Sequence, residues 1–490
     1  MDDLELAFTP ATELRELIRS KQVSPVEVVD AALRRIERVN PAVNAYVTVA
    51  AEQAVAAARD AEAAIQRGND RSAGPEQAIG PLHGVPVSLK DLTPSAGIRT
   101  TYGSKLFADN VPTADALEVT RLKQAGAIIL GKTNTPEFGA GPNTLNALFG
   151  ATRNPWDLER SAGGSSGGAA VALACGLGPL AQGSDLGGSL RIPASVCGVI
   201  GFRTSPGRIP VWPGGWTSNP FSVTGPMARS VRDVALMLSV MAGPDDRVSI
   251  SLDEPGDVFE RAADGELASI ARVAGRPPRV AWSHDLGIGV VDPEVSRLVE
   301  SAARTFESLG CTVEDAHPDI GDPRDMIAAL RALGTAAGNP ELLKRADEVD
   351  NPFLREFLKR PAELTGMEIA NAWNAHSRLI ERVSAFFRDY DLLITPTTPT
   401  PAYLVDQMFP PDVAGTPIAS AIDAMIVTYA ITMTGLPAIS VPAGWTEAGP
   451  PIGMQIVGRR HAEAAVLSAA AAFEATRPWA DRRPAVATVD

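Results

Sequence analysis

The chain has 490 residues, 45% hydrophobic and 21% charged, with a formal net charge of −14. Such a length and apolar content support a large buried core, and the acidic balance excludes a surface built for nucleic acid or an anionic membrane. The opening MDDLELAFTP has no basic, apolar leader, no run of about 18 apolar residues could span a bilayer, and the cysteines (Cys175, Cys197, Cys311) show neither disulfide nor metal spacing, so the expected location is cytoplasmic.

In chain order, residues 9–68 read as helices, the main part of an N-terminal segment (1–70) packed on the core. Ser24-Pro25-Val26-Glu27 is a capping box with Pro at the first helical position, followed by Val28, Val29, Ala32, Leu33 and Ile36 on one face. Asn40-Pro41 is expected to stop this helix, and 50–65 reads as a third one. From Gly80 the texture changes to α/β. Residues 85–89 read as a strand ending at Lys90-Asp91, 114–124 as a helix capped by Gly126, and 127–130 as a buried strand. A strand at 199–202 and a helix at 231–241 follow. A second α/β stretch has strands at 279–282 and 311–313 around a helix at 293–309. Residues 322–388 read as a helical insertion near the substrate entrance, and strands at 392–395, 438–441 and 452–457 precede a helix at 462–475. The alternation predicts an α/β fold in one domain, 1–490, whose large, mixed, twisted sheet is covered by helices on both faces.

The stretch 161–197 organises the chain. Gly163-Gly164-Ser165-Ser166-Gly167-Gly168 opens it and Gly187-Gly188-Ser189 precedes Leu190-Arg191-Ile192-Pro193. Glycines there let backbone N–H groups converge where a Cβ would block them. The short-chained apolar segment 169–177 reads as a tightly buried helix holding the two turns apart. Gly/Ser runs are commonly linkers, but a linker would not carry this apolar core. A hydroxyl at each turn, beside N–H donors, suggests acyl transfer with an oxyanion hole.

Two pattern matches mislead. Gly126 to Thr133 fits the phosphate-loop pattern, yet its middle residues Ala-Ile-Ile-Leu read as a buried strand, and a helix precedes it where a strand should. Gly163-Gly164-Ser165-Ser166-Gly167 fits the G-x-S-x-G elbow of α/β-hydrolase esterases, but NPWDLERSA before it shows no strand. None of His284, His317, His376 or His461 sits in a site-like loop. An α/β-hydrolase-type esterase stays an alternative. Without a histidine base, Lys90 is the best candidate to take a serine proton. Buried at a strand end, its pKa would fall from about 10.4 toward 7–8, at a cost of about 4 kcal/mol.

LHGVPVSLKDL, AGAIILGKTNTPEF, FGATRNPWD, GGSSGGAAVA, GSDLGGSLRIPA, GLPAISVP and PIGMQIVG together resemble the amidase signature family over nearly the whole chain. The resemblance implies a Ser–cis-Ser–Lys triad that hydrolyses amides and, in some members, esters or carbamates. It assigns Ser189 as nucleophile, Ser165, following a cis peptide, as bridge, and Lys90 as base. The intervals of 75 and 24 residues between Lys90, Ser165 and Ser189 agree with the family. The N–H groups of Leu186, Gly187, Gly188 and Ser189 would hold the oxyanion. Asp185, Arg191 and Ser166 are read as support for these turns, and neither a metal nor a cofactor is required. The amidotransferase subunit of the same family, working with partner subunits and tRNA, is the other alternative. Against it, Ile192 replaces the Gln usual there, SNPFSVTGP replaces an SSLDQ-like stretch, and its aromatic helix motif is missing between 320 and 350.

The loop 205–222 carries Trp212, Trp216 and Phe221 in a chain only 5% aromatic, and Gly139-Ala140-Gly141 offers small residues where a bulky group could enter. An aromatic-lined mouth follows as an expectation, with aryl or alkyl amides and carbamates (urethanes) as small-molecule substrates. The chain also resembles the aryl acylamidase and urethanase-like branch of the family. Neither nucleic acid nor membrane is expected as a partner, and a homodimer stays open.

Overall fold

Successive strand side chains point to opposite faces of the sheet, and because both faces are covered the central strands are buried along their whole length. The computed structural model describes residues 1–67, 79–264, 267 and 275–488. Its eleven-stranded sheet comprises β1 (Tyr46–Val49), β2 (Pro86–Lys90), β3 (Ile128–Thr133), β4 (Leu180–Asp185), β5 (Ile200–Arg203), β6 (Val223–Ala228), β7 (Arg279–Trp282), β8 (Thr312–Asp315), β9 (Leu392–Pro396), β10 (Ala438–Trp445) and β11 (Pro451–Gly458). The order across the sheet is β1-β3-β2-β4-β6-β5-β10-β11-β9-β7-β8. Parallel pairs β3–β2–β4 and β9–β7–β8 flank an antiparallel middle, so the sheet is mixed, as expected.

Helices cover both faces. Ile129, Val280, Leu392, Ile394 and Ile456 point to a layer that includes the helices Val231–Met241, Pro293–Ser308 and Glu463–Thr476. Their neighbours Ile128 and Leu130 meet the helices Pro25–Val43 and Gly167–Ala174, while Ala281, Leu393 and Val457 meet Arg324–Gly338, Gly366–Asp389 and Ile426–Thr434. Gly167–Ala174 is buried on every side, which its small residues permit. At Gly168 a Cβ would lie 2.3 Å from Asn134 N, so nothing larger fits.

Several expectations need correction. Pro41 does not stop the helix Pro25–Val43: it lies in the last turn, and Asn44, in the left-handed conformation, ends the helix. The strands β1, β4 and β6 were not expected. Gly183, Ser184 and Asp185 make β4 look like a loop because it gives polar groups to a site. The residues before Gly163 do form a strand, Asp157–Ser161, but it pairs with Arg153–Asn154 in a ribbon outside the main sheet. The expected N-terminal helical segment ends at 70, and residues 68–70 lie outside the described ones. The stretch 322–388 folds as four α-helices, Arg324–Gly338, Pro340–Leu343, Pro352–Lys359 and Gly366–Asp389. Among the described residues, no helix is long and apolar enough to cross a membrane.

Candidate active site

Parallel pairing of β2 with β4 explains why residues distant in sequence meet. Val87 pairs with Leu180 and Leu89 with Gln182, so Lys90 and Asp185 emerge at the same sheet edge. Lys90 is fully buried. Its Nζ lies 2.7 Å from Ser165 Oγ, 2.9 Å from Ser166 Oγ and 3.1 Å from Ser184 Oγ. Burial pulls its pKa down to about 7, against the opposing pull of the Asp185 charge. The neutral amine is therefore substantially populated near neutral pH.

Ser165 follows the cis peptide Gly164–Ser165 and stands just before the helix Gly167–Ala174. Thr144 ties this turn down: its hydroxyl donates to Gly163 O (2.8 Å) and accepts from Gly167 N (3.0 Å).

The turn carrying Ser189 hangs from one carboxylate. Asp185 Oδ1 accepts from Gly188 N (3.0 Å) and Oδ2 from Leu190 N (3.2 Å). Arg191 grips both oxygens at 3.0 Å, and Arg203 Nη1 lies 3.2 Å from Oδ1. All three side chains are fully buried. Burial alone would raise the Asp185 carboxyl, but the two guanidiniums hold it well below the usual carboxylate range. Gly188, at φ +121, has the backbone that lets its N–H turn inward to that carboxylate. This N–H is already spent, so Gly188 departs from the expected oxyanion set. The N–H groups of Leu186, Gly187 and Ser189 meet no protein acceptor among the described residues.

Ser165, Ser184, Leu186 and Ser189 share a cavity of about 210 Å³, closed by Phe138, Phe221, Leu330, Met433 and other side chains. Gly139 and Ala140 line it as expected, and so does Phe221, which stacks on Trp373 with centroids 5.9 Å apart. Gly141 does not: a Cβ there would meet Met408 Sδ at 2.7 Å. Trp212 is also elsewhere, 37% exposed with the Arg247 guanidinium over its ring at 5.6 Å. Trp216 lines a neighbouring cavity of about 170 Å³ that shares Asn219, Ser222 and Gly338 with the first. The loop puts one aromatic of three into the site because its other two dock on the helix Arg324–Gly338 and on Arg247.

Ser184 and Thr144 escaped sequence reasoning, and so did four other polar contributors. Gln182 accepts from Lys90 N (3.1 Å) and Thr93 Oγ1 (3.0 Å), bracing the strand end. Arg203 ends a buried strand as Lys90 does, and that position was the available signal. Tyr429 and Arg331 line the cavity from helices without any motif. Lys132, of the phosphate-loop match, is buried within β3 and donates to Thr93 O and Ser95 Oγ, so that segment is sheet core.

A buried amine against Ser165, and a turn of N–H groups without protein acceptors beside Ser189, lie at or behind one cavity on a mixed α/β sheet, an arrangement that suits acyl transfer. The chain belongs to the amidase signature family: the family model described as Amidase matches residues 27–467. It is 40% identical over 488 residues to an acylamidase of Rhodococcus erythropolis, with 99% of each chain covered. Over 505 residues it is 37% identical to one of the subunits of the glutamyl-tRNA(Gln) amidotransferase of Moorella thermoacetica, covering 98% of this chain and 99% of that one. Its fold superposes on the crystal structure of a bacterial aryl acylamidase with a TM-score of 0.87 and 32% identity, covering 96% of this chain and 97% of that chain. The protein is an amidohydrolase.

Proposed function

We propose that Ser189 attacks the amide carbonyl, with Ser165 relaying its proton to Lys90. The observation that carries this reading is the 2.7 Å contact between Ser165 Oγ and a fully buried amine whose pKa is lowered to about 7. In the neutral state the amine accepts the Ser165 proton as Ser165 takes that of Ser189. A C–O bond forms, and the carbonyl oxygen turns to the N–H groups of Leu186, Gly187 and Ser189. As the C–N bond breaks, Ser165 returns a proton to the leaving amine. Water then attacks the acyl-Ser189 ester, releasing the acid and restoring the serine.

The sign of the pH response follows. Protonated Lys90 cannot accept, so kcat/KM for an anilide rises with pH through about 7 and then levels off. A pH–rate profile of the purified chain, without ATP or partner subunits, checks this. A flat or falling profile across that range overturns the lysine as base.

The substrate reading favours aryl and alkyl amides and carbamates. Phe138, Phe221, Leu330 and Met433 support it, since flat apolar groups gain most from such walls. Phe221→Ala is expected to lower kcat/KM for acetanilides about tenfold relative to short aliphatic amides. An unchanged ranking across anilides, aryl carbamates, aliphatic amides and p-nitrophenyl esters would remove Phe221 from substrate recognition. In this reading the helices of 322–388 form the entrance wall of one domain. The cavity takes a small molecule, and the three free, buried cysteines suit a reducing cytoplasm.

A further inference from the structure

The wall of the cavity formed by the helix Arg324–Gly338 holds a cation with no counter-charge among the described residues. Arg331 lines the cavity together with Ser189 and Tyr429. Its guanidinium carbon lies 4.4 Å from the Phe357 ring centroid, 5.2 Å from that of Phe353 and 5.9 Å from that of Tyr429. Nη1 donates to Tyr429 Oη (3.1 Å), and the buried Nε has no partner. No carboxylate pairs with it among the described residues, although the chain carries 58 acidic side chains against 44 basic ones. Aromatic rings on several sides fix the guanidinium, but they do not supply the planar anion its fork of donors matches. A cation held this way attracts a carboxylate more strongly than one in open solvent.

We infer that Arg331 is a specificity-determining residue that binds a carboxylate at the far end of the substrate, so that the preferred amides are anionic. This rests on the amide-hydrolase reading of the same cavity. It adds an electrostatic anchor to the apolar walls of the cavity that holds Ser189. Tyr429, whose ring packs against Gly187, holds Nη1, and Nε is buried, so Nη2 is the nitrogen left for the ligand.

The test compares amides that differ only in charge at equal shape. On the acyl side, succinanilate is paired with 4-methylpentananilide, where an isopropyl group replaces the carboxylate. On the amine side, 4-acetamidophenylacetate is paired with 4-isobutylacetanilide. The readout is the ratio of kcat/KM within each pair, measured on one preparation, so partial loss of folded enzyme cancels. The wild-type chain is expected to favour the carboxylate member of at least one pair by about tenfold or more, the worth of one charge-assisted hydrogen bond. Raising the salt concentration should shrink that ratio. In Arg331→Met the ratio should fall to about one, and Arg331→Lys should recover part of it. A wild-type ratio near or below one in both pairs overturns the inference, as does a preference that survives in Arg331→Met. Cleavage of the neutral anilides reports the amide chemistry by itself, so either result leaves that reading separately tested.

Discussion

Replacing Ser189 with alanine is expected to lower kcat by about 10⁴-fold or more while the protein keeps its fold. Ser189 is 9% exposed and its hydroxyl has no hydrogen-bond partner among the described residues, so removing one oxygen disturbs little besides chemistry. Lys90→Met is expected to be as severe, because Ser165 then has no acceptor for its proton. In the proposed relay the three groups act as a unit, so Ser165→Ala/Ser189→Ala should be little worse than the worse single variant. Steady-state kinetics with circular dichroism on each variant checks both halves. Mass spectrometry should detect an acyl adduct on Ser189 in wild type with a slowly deacylating ester and none in Ser189→Ala. Full activity in Ser189→Ala would show that another group attacks the carbonyl.

Asp185→Asn should damage the fold more than any exposed substitution. The carboxylate neutralises two fully buried guanidiniums, Arg191 and Arg203, and anchors the Gly188 and Leu190 N–H groups. An amide in its place leaves both cations uncompensated, and breaking a buried pair in this way costs about 3–5 kcal/mol. Denaturant titration should show that loss, with faster amide exchange over 186–190 and a large fall in kcat. Because the Asp185 carboxyl is held below its ordinary value, its contribution is present above the unfolded-state pKa of about 4 and vanishes only in strong acid. A variant of wild-type stability would mean the network is not structural.

Much of the site was legible before the fold was. Lys90 stood out because no histidine sits in a site-like loop, although a lysine at a strand end ordinarily reaches to the surface. Ser165 and Ser189 stood out because glycines surround them. The small-residue run between the turns announced a helix buried on all sides. β4 was hidden for the same reason it matters: its Gln182, Ser184 and Asp185 serve the site, so it lacks the apolar alternation of an ordinary strand. Pro41 misled because a proline ordinarily breaks a helix, whereas here the helix carries it in its last turn and the helix-ending signal is Asn44 in the left-handed conformation.

The sequence by itself determined the α/β layering and the family, because these depend on local periodicity and on short motifs, and from it came the amine-and-serine chemistry proposed above. Only the tertiary structure decided what fills the cavity. Tyr429 and Arg331 are 98 residues apart in the chain and meet only because two helices cross above the Ser189 turn. Phe221 enters and Trp212 does not, since the loop's path is set by what each ring docks against. The Gly188 N–H is withdrawn by a carboxylate three residues back, whose own orientation depends on Arg203 in a different strand. Such outcomes depend on which surfaces meet across the sheet, and no spacing along the chain encodes that.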